Sequence, residues 1–344
     1  SLEHLQKEIA QILLKVGAVT LSPDKPFIFD SGIKSPVYCD NRILILYLEV
    51  RPQTLDSFVR RFIGVLLYNF LLNSSIPLKE DLDFLISKSE NFIPKTTGKI
   101  KAILNAVNRR KRNDVFTDLL SLCEELHQET GKSCVVIFDE FLNLENTGFK
   151  DLYREWSKLL ITQKNTMYII ISSLKFKAKY VLSKSLSLLF GNFQVITVEP
   201  FDLKTSAEFL QDSLYGIGLD SALKDFIVQF SAGYPFYLGV ISDTLIKQTG
   251  LNLTDALEGL LFDSSGILNQ RFSNYLKRFL DSPHANDYIS ILYLISSGRN
   301  KIKSIGGLLR KNAKELNLRI NHLLELGTIT RSVDFLKIND RVFS

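Results

Sequence analysis

Two adjacent acids, Asp139 and Glu140, follow the apolar run SCVVIF at residues 133–138. The run contains β-branched residues, which is typical of a buried strand in a parallel sheet. Acids at the carboxyl end of such a strand lie where ligands bind in open α/β sheets. There, the first carboxylate could hold Mg²⁺ and the second could polarise an attacking water. The alternative interpretation is a strand that ends in solvated acids at the start of a loop.

A second apolar run, MYIII at residues 167–171, ends in two hydroxyl residues, Ser172 and Ser173. A helical stretch that contains Trp156 separates it from the acids. Both runs are apolar on both faces and are joined by a helix, so we expect residues 135–138 and 168–171 to form adjacent parallel strands. The two acids and the two hydroxyls then follow neighbouring strands of one sheet.

This order of strand, acids, helix, strand and hydroxyls resembles the Walker B and sensor 1 strands of archaeal-type AAA+ ATPases, relatives of the STAND signalling ATPases. The resemblance continues through VITVEPFDLKTSAEFL at 195–210, which looks like the family's strand, Pro-Phe turn and lid helix. It also includes SAGYPFYL at 231–238, which is similar to a lid element of the family. About 300 residues, from 46 to the end, fit this order.

The resemblance implies an α/β fold, with a parallel-sheet P-loop ATPase-like core, a helical lid and a C-terminal winged helix. In that case Asp139 would bind Mg²⁺ and Glu140 would be the catalytic acid that orients water. Ser172 or Ser173 would sense the γ-phosphate of bound ATP. The domains would be residues 1–45 as a separate N-terminal segment, 46–200 as the core, 201–284 as the lid and 285–344 as the winged helix.

A phosphate-binding P-loop has the pattern G-x-x-x-x-G-K-[ST] between a strand and a helix. Three segments carry part of it, namely residues 32–35, 98–100 and 131–133. The first has one glycine and is followed by Pro36, and the second lacks the hydroxyl. The third leads into a strand and has Leu126 where the first glycine belongs. The Walker A loop is therefore not found, and the expected ATPase has weak or absent hydrolysis.

The N-terminal stretch AVTLSPDKPFIFDSGIKSPVYCDNR, residues 18–42, is similar to the amino terminus of orotate phosphoribosyltransferase. That resemblance implies that Lys34 and Arg42 are the basic residues near a substrate. The alternative is a β-hairpin with Gly32 at its turn. The rest of that enzyme is not visible, because the bulky residues 141–144 after the acids would keep a phosphate away from the backbone.

The last segment, residues 285–344, predicts three helices followed by a hairpin around residues 333–334. It is similar to the C-terminal winged helix of the same ATPase family and contains 10 Lys and Arg against 5 Asp and Glu. A DNA-binding module of this kind would place its recognition helix in the major groove. The candidate nucleic-acid contacts are Lys314, Arg319, Asn321 and His322 in that helix, and Arg331 in the wing. The alternative is a protein-contact winged helix.

Composition is that of a soluble globular protein, with 45% apolar and 23% charged residues in a chain of 344. No apolar run reaches about 18 residues and no secretory signal is visible, so we expect no membrane segment. Cys39, Cys123 and Cys134 lack metal-ligand spacing and predict reduced thiols in a cytoplasmic protein.

Three hypotheses for the function remain open. The first is an ATP-binding AAA+/STAND-type protein, an enzyme only if it hydrolyses nucleotide. The second is a non-catalytic regulator on a degenerate ATPase fold, with a DNA or protein partner bound through the winged helix. The third is an orotate phosphoribosyltransferase fusion. Binding of ATP, of orotate, or of neither would distinguish them.

Overall fold

The structure is a computed structural model that describes residues 19–21, 27–28, 34–35, 37–39, 43–72, 78–109, 114–186, 193–247, 252–280 and 282–343. The chain forms two compact units, the first ending at Gln194 and the second beginning at Val195. The predictions for Arg42 and for the side chain of Lys34 fall outside the described residues.

The described parts of the N-terminal segment are four short strands. Strand β1 (Val19–Leu21) pairs antiparallel with β4 (Val37–Cys39), and β2 (Phe27–Ile28) pairs antiparallel with β3 (Lys34–Ser35). The inner pair is compatible with the predicted hairpin, although its turn at Gly32 lies outside the described residues. None of these strands pairs with the parallel sheet that follows.

A three-stranded parallel sheet forms the centre of the first unit. Its strands are β5 (Ile43–Glu49), β6 (Ser133–Asp139) and β7 (Thr166–Ile170), in the order β5-β6-β7. Phe138 pairs with Leu48 on one side and with Ile170 on the other. The prediction that residues 135–138 and 168–171 lie on adjacent parallel strands is therefore confirmed.

Helices pack on the sheet through a common apolar core. The helices of this unit are α1 (Leu55–Leu71), α2 (Leu82–Ser89), α3 (Pro94–Asn108), α4 (Val115–Thr130), a 3₁₀ helix (Phe141–Asn146), α5 (Leu152–Thr162) and α6 (Lys175–Lys184). Phe138 on β6 packs against Trp156 on α5, with ring centroids 5.6 Å apart, and both side chains are fully buried. Side chains alternate between the faces of a strand, so Phe138 points to this core and Asp139 points to the opposite face.

The second unit consists mainly of helices. They are α7 (Leu203–Ser213), α8 (Ser221–Ser231), α9 (Pro235–Lys247), α10 (Leu253–Leu261), α11 (Ile267–Leu280), α12 (Ala285–Ser296), α13 (Ile302–Leu308) and α14 (Ala313–Glu325), followed by an antiparallel hairpin of β8 (Ile329–Ser332) and β9 (Phe335–Ile338). Two apolar cores hold them together. One surrounds Leu238 and Ile241, and the other surrounds Ile291 and Ile320.

The end of the chain is tied to the helical part of the same unit. The Tyr237 hydroxyl donates a hydrogen bond to the Asp340 carboxylate, and the Tyr234 hydroxyl donates one to the Asn339 carbonyl. Helices α12 to α14 and the hairpin follow the order predicted from sequence. Their identification as a winged helix, and the boundaries at 200 and 284, stay predictions.

No helix in the described parts of the chain is both long and apolar enough to cross a bilayer.

Candidate functional site

The candidate site lies at the carboxyl ends of the three parallel strands. Asp139 is the last residue of β6 and is in register with Glu49, the last residue of β5. After the acids, the chain turns so that the Phe141 backbone N–H donates to the Ile171 carbonyl. This turn places Asp139 and Glu140 beside the residues that follow β7, as the sequence predicted for the acids and the two serines.

Asp139 is held by a residue of the neighbouring strand. The Tyr47 hydroxyl donates a hydrogen bond to Asp139 Oδ2 over 2.6 Å. This hydrogen bond, together with partial burial and the negative charge of Asp139, raises the pKa of Tyr47 to about 12. No described residue donates a hydrogen bond to the second carboxylate oxygen, Oδ1. Asp139 therefore has one oxygen fixed and one oxygen left for a ligand.

Glu140 has a left-handed backbone conformation, with φ of 54°, which is uncommon for a residue with a side chain. Its carboxylate accepts a hydrogen bond from the Ser173 backbone N–H, at 3.1 Å to Oε1 and 3.3 Å to Oε2. The Ser172 hydroxyl accepts a hydrogen bond from the Leu174 backbone N–H at 3.1 Å, just before α6. Glu140 and Ser173 are thus brought together directly, whereas Ser172 contributes to the turn beside them.

Charged residues at the end of β5 complete the surroundings of the acids. Glu49 forms an ion pair with Arg51, and the Arg61 guanidinium donates a hydrogen bond to the Glu49 carbonyl. Burial lowers the pKa of Arg61 below its usual range. Nothing in the sequence singled out Tyr47, Glu49 and Arg51 as neighbours of the acids. The alternating pattern of β5 puts Tyr47 and Glu49 on one face, but nothing local indicates that this face meets Asp139.

The P-loop candidates in the described residues are not placed to hold a phosphate. Gly98 lies inside α3, whose first turn is already capped because the Glu129 carboxylate accepts hydrogen bonds from the backbone N–H groups of Lys95 and Thr96 at 2.8 Å. Gly131 ends α4 with φ of 69° and leads into β6. The remaining candidate, residues 32–35, lies mostly outside the described residues.

The donor groups at the site suit Mg²⁺ better than they suit a triphosphate. Mg²⁺ prefers carboxylate oxygens, and commonly takes one or two of them together with water and substrate phosphates. Asp139 Oδ1 supplies one such oxygen. Within the described residues, His, Cys, Asp and Glu form no group of three that could hold a metal on their own. Phosphate needs converging backbone N–H groups, and among the described residues Gly98 and Gly131 do not supply them.

The predicted nucleic-acid contacts separate into two groups. Lys314 and Asn321 are exposed on α14, and Arg331 is exposed on β8. The Arg319 side chain is only 17% exposed and pairs with Asp287, which also pairs with Lys311 at 3.0 Å. His322 packs against Tyr288, with ring centroids 5.3 Å apart. Arg319 and His322 therefore contribute to packing within the second unit.

A solved structure shares this architecture. The Walker-type ATPase PABY2304 of Pyrococcus abyssi matches 88% of this chain and 90% of its own, with 20% identity and a TM-score of 0.50. A RuvB variant of Thermotoga maritima aligns over 74% of this chain and 93% of its own, with 14% identity and a TM-score of 0.33. The first match confirms the predicted α/β fold with a parallel-sheet, P-loop ATPase-like core. No family model matches the sequence.

A segment of the chain is similar to orotate phosphoribosyltransferases. The enzyme of Staphylococcus haemolyticus is 36% identical over 124 residues, which are 34% of this chain and 61% of the enzyme. The enzyme of Bacillus mycoides is 57% identical over 47 residues, which are 14% of this chain and 22% of the enzyme. This chain therefore spans less than two thirds of the length of these relatives, and the predicted resemblance is confirmed for a segment alone.

Proposed function

We propose that this chain is an ATP-binding protein of the AAA+/STAND kind with weak or absent hydrolysis, and that β6 is its Walker B strand. The observation that supports this proposal is the position of Asp139 and Glu140, at the carboxyl end of the central strand and beside Ser172 and Ser173. Asp139 would hold Mg²⁺ through Oδ1, Glu140 would orient water, and Ser172 or Ser173 would sense the γ-phosphate.

The chain's own residues explain why turnover should be low. Bound Mg²⁺ would neutralise charge on the phosphates. The Glu140 carboxylate already accepts a hydrogen bond from the Ser173 backbone N–H, so it would have to orient water with its remaining lone pairs. Where the described residues supply no converging backbone N–H groups, the triphosphate also loses its main source of binding energy.

Direct nucleotide binding tests this proposal. Fluorescent ATP should bind the full chain in the presence of Mg²⁺, and Asp139→Asn should weaken that binding while Asp151→Asn, an exposed acid outside the site, should not. Release of inorganic phosphate should stay near the uncatalysed background. Absence of ATP binding at millimolar nucleotide would contradict the proposal and would favour a non-catalytic regulator on the same fold.

A second candidate function rests on the segment similar to orotate phosphoribosyltransferases. A fusion that keeps substrate binding would bind orotate or phosphoribosyl pyrophosphate, with Lys34 and Arg42 as the basic contacts. Calorimetric titration with each ligand tests it, and Lys34→Ala should weaken any binding that is found. Binding of neither ligand would leave this segment without a substrate of that kind.

A partner surface on the second unit is a further part of the proposal. If residues 285–344 form a winged helix, a polyanion such as DNA would meet the exposed side chains of Lys314, Asn321 and Arg331. The remaining candidates, Arg319 and His322, would pack beneath that surface and would not contact the polyanion.

We also propose a cytoplasmic location, because Cys123 and Cys134 are free thiols in the buried core.

A further inference from the structure

Tyr47 and Asp139 lie on neighbouring strands and on the same face of the sheet. Tyr47 is in register with Ile137, so Asp139 is its diagonal neighbour two residues further along β6. Diagonal pairs of this kind are within reach of a long aromatic side chain. The hydroxyl of Tyr47 spans this diagonal and donates to Asp139 Oδ2 over 2.6 Å.

The hydrogen bond from Tyr47 restricts the rotation of the Asp139 carboxylate and engages only one of its two oxygens, Oδ2. A terminal carboxyl group rotates broadly about its last torsion unless a partner holds it. With Oδ2 bonded to Tyr47, the direction of Oδ1 is set by the position of the ring on β5. Glu49, the acid in register with Asp139, forms an exposed ion pair with Arg51.

We propose that Tyr47 is the positioning residue of the metal site, which fixes the Asp139 carboxylate so that Oδ1 is presented to a divalent cation. This inference rests on the proposed function, since it assumes that Asp139 is the metal ligand. Carboxylate ligands are commonly hydrogen-bonded by an outer partner, and loss of that partner weakens metal affinity by about 10- to 100-fold. Tyr47 is 45% exposed, so we expect an effect near the lower end, about tenfold.

The experiment measures Mn²⁺ binding by the full chain through water proton relaxation in the presence of ATP, because a single carboxylate oxygen holds such a cation together with water and substrate phosphates. Tyr47→Phe removes the hydroxyl and keeps the ring, and it should weaken Mn²⁺ binding by about tenfold. Asp139→Asn should abolish the same binding. Tyr180→Phe is the matched control, because Tyr180 is 58% exposed on α6 and the change is chemically identical. Thermal unfolding of each variant, followed by the fluorescence of the single Trp156, separates positioning from a loss of structure.

The outcomes distinguish this inference from the proposed function. Weaker Mn²⁺ binding by Tyr47→Phe, at unchanged melting temperature, supports the positioning role. Unchanged or tighter binding by Tyr47→Phe, while Asp139→Asn abolishes binding, overturns the role of Tyr47 and leaves the metal site standing. If Asp139→Asn binds as well as the unaltered protein, or none of the proteins binds Mn²⁺, the metal site and the role of Tyr47 are both overturned.

Discussion

The Glu140 carboxylate accepts a hydrogen bond from the Ser173 backbone N–H, at 3.1 Å between Oε1 and N. This contact joins the end of β6 to the turn after β7. The acid proposed to orient water is therefore held by the segment proposed to sense phosphate. A neutral amide side chain can accept the same hydrogen bond through its oxygen.

Replacing Glu140 by Gln should leave ATP turnover unchanged, at the background rate. In an intact ATPase, loss of this acid would suppress hydrolysis by about two to four orders of magnitude. Here the phosphate-binding loop is not found, so there is little activity to lose. The measurement is phosphate release by both proteins at saturating Mg²⁺ and ATP. Robust turnover by the unaltered protein, abolished in Glu140→Gln, would reveal a phosphate-binding element and contradict the prediction.

Gly233 is required for the packing of the second unit. It has φ of +78°, and a Cβ atom built on it would lie 2.1 Å from the Phe201 carbonyl oxygen. The Gly233 carbonyl also accepts a hydrogen bond from the Phe201 backbone N–H at 2.8 Å. Gly233→Ala should therefore destabilise this unit by about 2–4 kcal/mol. Denaturation followed by far-UV circular dichroism measures the change.

Gly239→Ala is the control for that substitution. Gly239 lies inside α9, and apart from its chain neighbours and the nearby backbone of its own helix, no described heavy atom is within 4 Å of the position that its Cβ would take. Alanine is the better helix former, so Gly239→Ala should stabilise the unit by up to about 1 kcal/mol. Equal effects of the two changes would show that the approach of Phe201 to Gly233 does not limit packing.

The ionised Asp287 carboxylate should stabilise the second unit, and this contribution should be lost at low pH. Burial alone would raise the pKa of Asp287, but hydrogen bonds and charge from Lys311 and Arg319 outweigh burial and lower it. A carboxyl whose folded pKa is depressed stabilises the protein above its unfolded pKa, near 4. That stability is lost as the pH falls through the lower pKa of the folded state.

The test compares urea denaturation at pH 6 and pH 3 for the unaltered protein and for Asp287→Asn. The variant should lose about 1–2 kcal/mol at pH 6 and should show a smaller decrease between the two pH values. Glu325→Gln, an exposed acid at the end of α14, is the control and should preserve the full pH dependence. If Asp287→Asn showed the same pH dependence as the unaltered protein, the loss of stability at low pH would arise from other groups.

Lys314 should affect nucleic-acid binding without affecting stability. If the exposed face of α14 meets phosphates, each paired Lys or Arg releases about one counterion. Lys314→Ala should then reduce the slope of log affinity against log salt by about one, equally for all duplex sequences. Fluorescence anisotropy with short duplexes over a salt series measures this slope for the full chain.

Arg319→Ala provides the comparison for Lys314→Ala. Because Arg319 pairs with Asp287, its loss should lower the free energy of unfolding in addition to any effect on duplex affinity. A large slope change for Arg319→Ala at unchanged stability would place Arg319 on the binding face instead. Absence of duplex binding by the unaltered protein at about 50 mM salt would leave this segment as a protein-contact element.

The sequence by itself determined two strands of the sheet, β6 and β7, and the place of the acids at the end of the first. The runs that became β6 and β7 are continuously apolar, and a strand that is buried on both faces leaves that local pattern. Parallel pairing followed from the helix between them, since a parallel connection needs a long crossover. Asp139, Glu140 and the two serines were predicted as site residues because they stand at or just after the ends of these apolar runs, and their roles stay predictions.

Only the tertiary structure decided which groups hold these side chains. Tyr47 and Asp139 are 92 residues apart, and Arg319 and Asp287 are 32 apart, so no local pattern links either pair. The same helical spacing that exposes Lys314 would have allowed Arg319 to be exposed. Its burial depends on where α12 packs against α14. Periodicity reports which face of an element is apolar, whereas the partner of each polar group depends on the packing of distant elements.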